Sequence, residues 1–594
     1  MKLVVPHTGE LLASDARLIR LAQFLGISCE ILFLDRETQH DAEFIEKALT
    51  NRDACLVVNP QIIKAWTGGV LSADLISCLV SRFPYLLVYG FTGDPSEENL
   101  IRGLSADRLH SSRRIADSDH HYEIAPDSRE ICGAFAGLSF GPVNPLNDRV
   151  FCGDVDDLPG RVLISIGGGA FMMVMKHDQA KILFLASADT VDVDHEIGDA
   201  PLGEYFSRFL PHAMALRYIF GEYCWHPREH HASLIIDDPL LRPRYGFLDF
   251  EELLHLMEKY NFFTTIAFIP HNYRRNSKRV MQLFNENRSR FGICFHGNDH
   301  TLAELASTDV SHLNTILRVA EVRMNDLHQA AGLHCSKVMV FPQGKFSAEA
   351  MKVLKSRNFL AAANSRPIPS KCSVKLSLAE LSQPAVLRWG GFPLFLRKSV
   401  RFTKQDIAFN VFFGRPILVE EHHEVFRQPE NVAQAAVTIN SVVPEIHWSD
   451  LETVASSSIL QRRMSDGTYH VRAYSGTVRI ANDRECSQRF IIEWNHPRDS
   501  VAVERVLRDG VTSYPSEVRD SRIRLSVVLA PGNSCTFSVV YRNDDSRYVN
   551  LGFRWDAKVF VRRRVAEMMD NYVSKNQFVS TLTKTLRQRV RRGK

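Results

Sequence analysis

A chain of 594 residues exceeds the roughly 250–300 at which single hydrophobic cores stop growing, so several domains are expected. The composition is that of a globular protein, 45% hydrophobic and 24% charged, and a net charge of +4 is too small to argue for a nucleic-acid partner. No run approaches the ~18–20 apolar residues of a bilayer span. The N-terminal apolar run, cut at Pro6 and His7, is too short for an export signal, and eleven scattered cysteines without a CxxC pair read as reduced core residues of a cytoplasmic protein.

Residues 1–95 alternate short apolar runs (KLVVP, CEILFLD, ACLVV, YLLVYGF) with stretches of helical spacing (DARLIRLAQFLG, AEFIEKAL, ADLISCLVSRF), which predicts an open parallel α/β sheet. The first strand-to-helix turn, PHTGELLASD, lacks a nucleotide-binding glycine pattern. Residues 96–225 read as a β-rich extension of this domain. Its glycine triplet at 167–169 is expected to be a plain turn, because no Lys-Ser/Thr and no helix follow.

From about 226 to 428 the strand–helix rhythm returns. SLIID, TTIAFIP, GICFH, KVMVFP, FLAAAN, AVLRW and PILVEEHH are the predicted strands, with helices between them. Seven such units suit a β/α barrel, in which chemistry gathers at the C-terminal strand ends. Residues 429–545 alternate apolar and polar at period two and predict an antiparallel β-sandwich. The segment 546–594 reads as a basic helical tail, with ten Lys or Arg against two acids from 562 onward. It is either a solvated surface helix or a contact to an anionic membrane face or a protein partner.

Chemistry-bearing residues fall at the ends of the barrel strands. Asp237-Asp238 follows SLII and is ended by Pro239; a cation beside two adjacent carboxylates would relieve their repulsion. His296-Gly297-Asn298-Asp299-His300 follows GICF, and imidazoles four residues apart can converge on one ion. Asp238, His296 and His300 together give a carboxylate and two imidazoles with positions left for water, a donor set that suits zinc first, with cobalt, nickel or manganese as options. His226, His230 and His231 lack a carboxylate at ligand-like spacing and are not expected to bind a second ion. Glu251-Glu252 are expected to complement a helix dipole, and Asp299 to cap a helix ahead of Thr301.

The Asp-Asp pair after the first strand, the H-x-x-x-H after the third and the Pro-x-Gly turn after the fourth resemble the NodB-type polysaccharide deacetylases, carbohydrate esterase family 4, over roughly 230–425. The resemblance implies a distorted barrel of that type and a metal-dependent hydrolase acting on an N-acetylated sugar or glycan. It implies Asp237 as general base and Asp238, His296 and His300 as metal ligands. It also implies the backbone N–H of Gln343 as an oxyanion donor and His422 or His423 as general acid. Three positions depart from the pattern: Val340 stands where the family has an arginine, Trp389 lacks its preceding acid, and Gln343 replaces the family's aromatic residue. Arg388 or Arg397 is a candidate replacement for the first, Glu420 or Glu421 for the second. A cytoplasmic or inner-membrane-face deacetylase is the leading expectation, and a non-catalytic carbohydrate-binding or assembly protein that retains the barrel, or another C–N hydrolase on it, the alternatives.

Overall fold

The computed structural model describes all residues except 35–53, 69–71, 116–119, 154–159, 198–204, 302, 544–552 and 574–594. The helix expected in AEFIEKAL and most of the basic tail lie outside the described residues. The protein is a multidomain α/β chain in two compact units: one of Met1–His226, Lys375–Leu381 and Gln461–Gly467, the other of Pro227–Val374, Ser382–Leu460 and Thr468–Lys594.

The first unit is built on one eleven-stranded sheet. Strands Cys29–Phe33, Lys2–His7, Ala54–Val58, Tyr85–Val88 and Ala180–Leu185 run parallel in that spatial order, and the β-rich segment continues the sheet antiparallel through Gly169–His177 and Gly160–Ile166. The Ala54–Val58 strand is buried throughout, as a strand covered on both faces must be. Gly167 and Gly168, at φ 53° and 79°, make the hairpin turn expected of the triplet.

In the second unit seven parallel strands close on themselves: β1 His231–Asp237, β2 Thr264–Phe268, β3 Phe291–His296, β4 Cys335–Val340, β5 Ala361–Asn364, β6 Leu394–Lys398 and β7 Ile417–His422. β1 pairs with both β2 and β7, which completes the barrel. Helices Phe250–Tyr260, Lys278–Glu286, Val310–Ala331, Ala348–Ser356 and Lys404–Phe412 connect the strands. The first of them is capped by Asp249, whose carboxylate accepts from the amides of Glu251 and Glu252 at 3.0 and 3.3 Å, so those acids do lie in the positive first turn.

One strand differs from expectation. AVLRW is not the sixth barrel strand; Leu394–Lys398 is. Gly390 and Gly391, at φ 65° and 64°, reverse the chain after Trp389, whose indole donates to Pro367 O at 2.9 Å, and send LFLRK into the barrel instead.

After the barrel, helices Glu430–Val442 and Leu451–Ser457 flank a short strand, His447–Trp448, that pairs with the start of β1. The sandwich strands follow from 469 to 541. Val471, Ile492, Trp494 and Ile523 from one sheet share a core with Val478, Val506 and Phe537 from the other. The pairing is antiparallel except that Tyr469–Ala473 runs parallel to Gln488–Asn495. Lys355 on a barrel helix is 1% exposed and reaches across to donate to Gly390 O at 3.0 Å and Ser500 Oγ at 2.7 Å. A helix at Phe553–Met568, continued by a wide turn to Val573, closes the described chain.

Candidate metal centre and active site

β1 is buried along its whole length and delivers Asp237 and Asp238 to the C-terminal mouth of the barrel. Side chains alternate along a strand, so neighbours face opposite ways until the strand ends. Asp238 provides that end: its φ is +78°, although its amide still donates to Ala267 O of β2 at 3.2 Å. His296 is the last residue of β3, and Gly297 and His300 beyond it also have positive φ, 62° and 54°. Backbone held this far from ordinary conformations must be over-determined by its surroundings, and such residues gather at functional sites.

The determinant here is Glu304, which sequence reasoning missed. Its buried carboxylate accepts from the amides of Asn298 at 2.9 Å, Asp299 at 3.1 Å and His300 at 2.9 Å, and so clamps the loop that carries the second histidine. A Cβ at Gly297 would lie 2.1 Å from Glu304 Oε1 and 2.5 Å from Pro342 Cγ, so only glycine fits.

Asp238, His296 and His300 come together with donor atoms within 4.8 Å of one another, the one such group of three among the described residues. Asp238 Oδ1 lies 3.3 Å from His296 Nε2 and 3.2 Å from His300 Nε2, and it is buried without a hydrogen bond. His296 Nδ1 stands 3.0 Å from Val340 O, which can only accept, so Nδ1 carries the proton and Nε2 presents its lone pair to the cluster. Burial pushes the His300 imidazole down to about 4, outweighing Asp238, so it is neutral at ordinary pH. Burial would lower the His296 imidazole as well, but Asp237 and Asp238 outweigh it and raise that ring, which a cation would have to hold neutral. Burial alone would raise the Asp238 carboxyl, but His300 and His296 hold it well below the usual range. One ionised carboxylate and lone pairs on two imidazoles match what a divalent cation needs.

Asp237 turns to a different partner. Arg397 on β6 grips it with both terminal nitrogens, Nη1 to Oδ1 at 2.7 Å and Nη2 to Oδ2 at 2.8 Å, while Arg397 Nε sits 3.0 Å from Glu420 Oε2 on β7. Burial would raise the Asp237 carboxyl; Arg397 and then His296 outweigh it and keep the group ionised. Arg388 is exposed, and Glu421 accepts from the Val400 amide at 2.9 Å, so of the alternatives left open by sequence it is Arg397 and Glu420 that face Asp237.

The Pro342–Gly344 turn puts Gln343 at φ 59°, exposed, and its amide donates no hydrogen bond among the described residues. The two histidines after β7 part company. His422 is exposed, lies opposite Asp237 in the β1–β7 register, and its charge helps lower the Asp237 carboxyl. His423 is 3% exposed, packed edge-on to Tyr245 at 5.5 Å and stacked on Phe247 at 6.1 Å.

Asp299 caps no helix. Its Oδ1 accepts from Arg323 at 2.6 Å and its Oδ2 from the Trp555 indole at 2.8 Å. His231 Nε2 lies 3.3 Å from a Glu229 carboxylate oxygen and its Nδ1 3.3 Å from Ser449 Oγ, so a carboxylate does stand beside this histidine.

Fold and cluster together define a closed seven-stranded parallel barrel with a carboxylate and two imidazoles converging at its C-terminal mouth. No protein-family model and no curated protein matches the chain. Among solved structures, Agd3, a carbohydrate deacetylase, aligns over 90% of this chain and 98% of its own, at 9% identity and TM-score 0.44. The family 4 carbohydrate esterase from Streptomyces lividans aligns over 37% of this chain and 93% of its own, at 12% identity and TM-score 0.23. The Bc1960 peptidoglycan N-acetylglucosamine deacetylase aligns over 39% and 90%, at 16% identity and TM-score 0.24.

Proposed function

We propose that the barrel removes an N-acetyl group from a sugar or glycan by hydrolysis at a divalent ion held by Asp238, His296 and His300. The observation that carries this reading is the division of labour between neighbouring carboxylates: Asp238 faces two ligand-ready imidazoles, and Asp237 is held ionised by Arg397 beside them. A bound zinc-like ion would supply Lewis acidity towards the acyl carbonyl and a lowered pKa for water, which an unactivated acetamide requires.

The chain's own residues carry the rest. Asp237 accepts the proton of the attacking water, with its orientation fixed by the Arg397 fork and Glu420. The unengaged Gln343 amide donates to the oxyanion that develops on the acyl oxygen; donors of this kind are worth about 3–4 kcal/mol in the transition state. His422, exposed at the mouth on the strand beside Asp237, returns a proton to the departing amine. His423 is buried against Tyr245 and Phe247 and is left to packing. Val340 and the position before Trp389 favoured a binding-only protein, but Arg397 removes the first ground, since it supplies from β6 the guanidinium missing from β4.

The test is metal analysis joined to acetate release from N-acetylated oligosaccharides. The reading predicts a stoichiometric ion, release that needs it, and loss of release with retention of the ion in Asp237→Asn. Acetate release unchanged in that variant, or no ion retained by the wild type, overturns it.

A further inference from the structure

The C-terminal helix lies against the mouth of the barrel within the same compact unit. Trp555, Val559, Arg563 and Glu567 recur at every fourth position and share the inward face. Three of the four have evident partners. Trp555 donates to Asp299, next to His300. Val559 is 1% exposed in apolar packing. Glu567 pairs with Arg242 at 2.8 Å and with Arg275. Beyond them Asp570 accepts from Tyr245 at 2.6 Å and Asn571 from the Gly246 amide at 2.8 Å, so the helix is pinned at both ends.

Arg563 is the exception. It is 7% exposed, forms no hydrogen bond or ion pair among the described residues, and its Nε is buried without a partner. Its charge nevertheless reaches the cluster, helping to lower Asp238, His300 and the Tyr245 phenol. Of the carboxylates described at this end of the barrel, Asp237 is engaged by Arg397, Asp299 by Arg323, Glu567 by Arg242 and Arg275 and Asp570 by Tyr245, while Asp238 is the one assigned to the ion. A guanidinium withdrawn from water without an anion is costly to keep.

We infer that Arg563 is a substrate-facing residue whose missing anion is the oxygen-rich acyl end of the reaction, the developing oxyanion and the carboxylate product, which its planar fork fits. This rests on the deacetylase reading, because only there does an anion form beside Asp238 and His300. With Arg563 the mouth of the barrel has a wall contributed from outside the barrel itself.

Calorimetric titration of sodium acetate into the zinc-loaded protein tests the assignment. Acetate is expected to bind the wild type and to bind Arg563→Gln about tenfold or more weakly, the span of a lost charge-assisted hydrogen bond. Zinc affinity should hold or rise, since a cation near the ligands has gone. Arg563→Lys, which keeps the charge without the fork, should fall between the two and serves if the glutamine variant does not fold. Equal acetate affinity in wild type and variants overturns the inference, as does no measurable acetate binding to the loaded wild type. Binding of glucuronate without acetate also overturns it, by moving the anion from the acyl group to the sugar. Asp238→Ala separates the parent reading: zinc bound there as tightly as in wild type removes the ion site, whereas zinc lost there and acetate indifferent to Arg563 removes only this inference.

Discussion

Arg397 holds both oxygens of Asp237 from a strand 160 residues further along the chain, at 2.7 and 2.8 Å, with both side chains almost wholly buried. A buried pair of this kind is far more sensitive to losing one partner than to losing both. Arg397→Met is expected to destabilise the barrel by about 3–5 kcal/mol and to bring the Asp237 carboxyl up out of its depressed range. Urea denaturation and the acid limb of the activity profile measure the two effects. Because the Asp237 carboxyl is lowered on folding, its contribution is present above the ordinary carboxylate value near 3.8 and is lost only as pH falls below it. The variant should flatten that acid loss.

A divalent ion that binds the folded cluster and not the unfolded chain must stabilise the protein by mass action, about 2.7 kcal/mol at a hundredfold excess over Kd. Zinc should raise the wild-type unfolding midpoint and a chelator should lower it. Neither treatment should move His296→Ala or Asp238→Ala. An equal response in those variants would place the ion elsewhere.

The loop after β3 is expected to fail at its clamp. Glu304→Gln offers one acceptor oxygen to three amide donors and should cost about 1–3 kcal/mol through the donors left unpaired. Gly297→Ala combines positive φ with a Cβ 2.1 Å from Glu304 Oε1, and a loss of roughly 2–4 kcal/mol is expected from strain and overpacking together. Both changes should weaken ion binding, read by competition with a zinc chelator, although neither residue is a ligand.

Lys355 supplies a pH signature outside the cluster. Burial pushes its ammonium down to about 7 from an ordinary 10.5. The folded state therefore binds fewer protons than the unfolded chain between those values, and stability should rise with pH across that window. Lys355→Met removes the titrating group. The wild type is expected to gain on it by a few kcal/mol between pH 7 and pH 10 in denaturant titrations. A constant gap across that range would show the lysine to be solvated.

The candidate cluster was legible because strand tips write their chemistry in consecutive letters: Asp237-Asp238 ends β1, and the two histidines straddle one tight loop after β3. The barrel was legible from its rhythm of apolar runs. Arg397 was only half visible, named among candidates while its strand was misassigned. AVLRW and LFLRK are equally strand-like, and only the paired positive-φ glycines between them decide which enters the sheet. Glu304 and Arg563 left no signal, since a Glu in a short turn and an Arg in a run of three read as surface charge. Their burial is a property of what packs on them, which no local pattern records. The alternation along β7 sets His422 on the same side of the strand as Glu420, which is the ground on which it is proposed over His423.

Trp555, Arg563 and Glu567 also order events in time. A ribosome releases the strands carrying Asp238, His296 and His300 some 250 residues before the helix that roofs them, as the 256-residue separation of Asp299 and Trp555 records. The three clustered side chains thus leave the ribosome, and can come together, before the helix that packs beside them exists. The cluster can form first, and its surroundings are complete only when the Phe553–Met568 helix has docked.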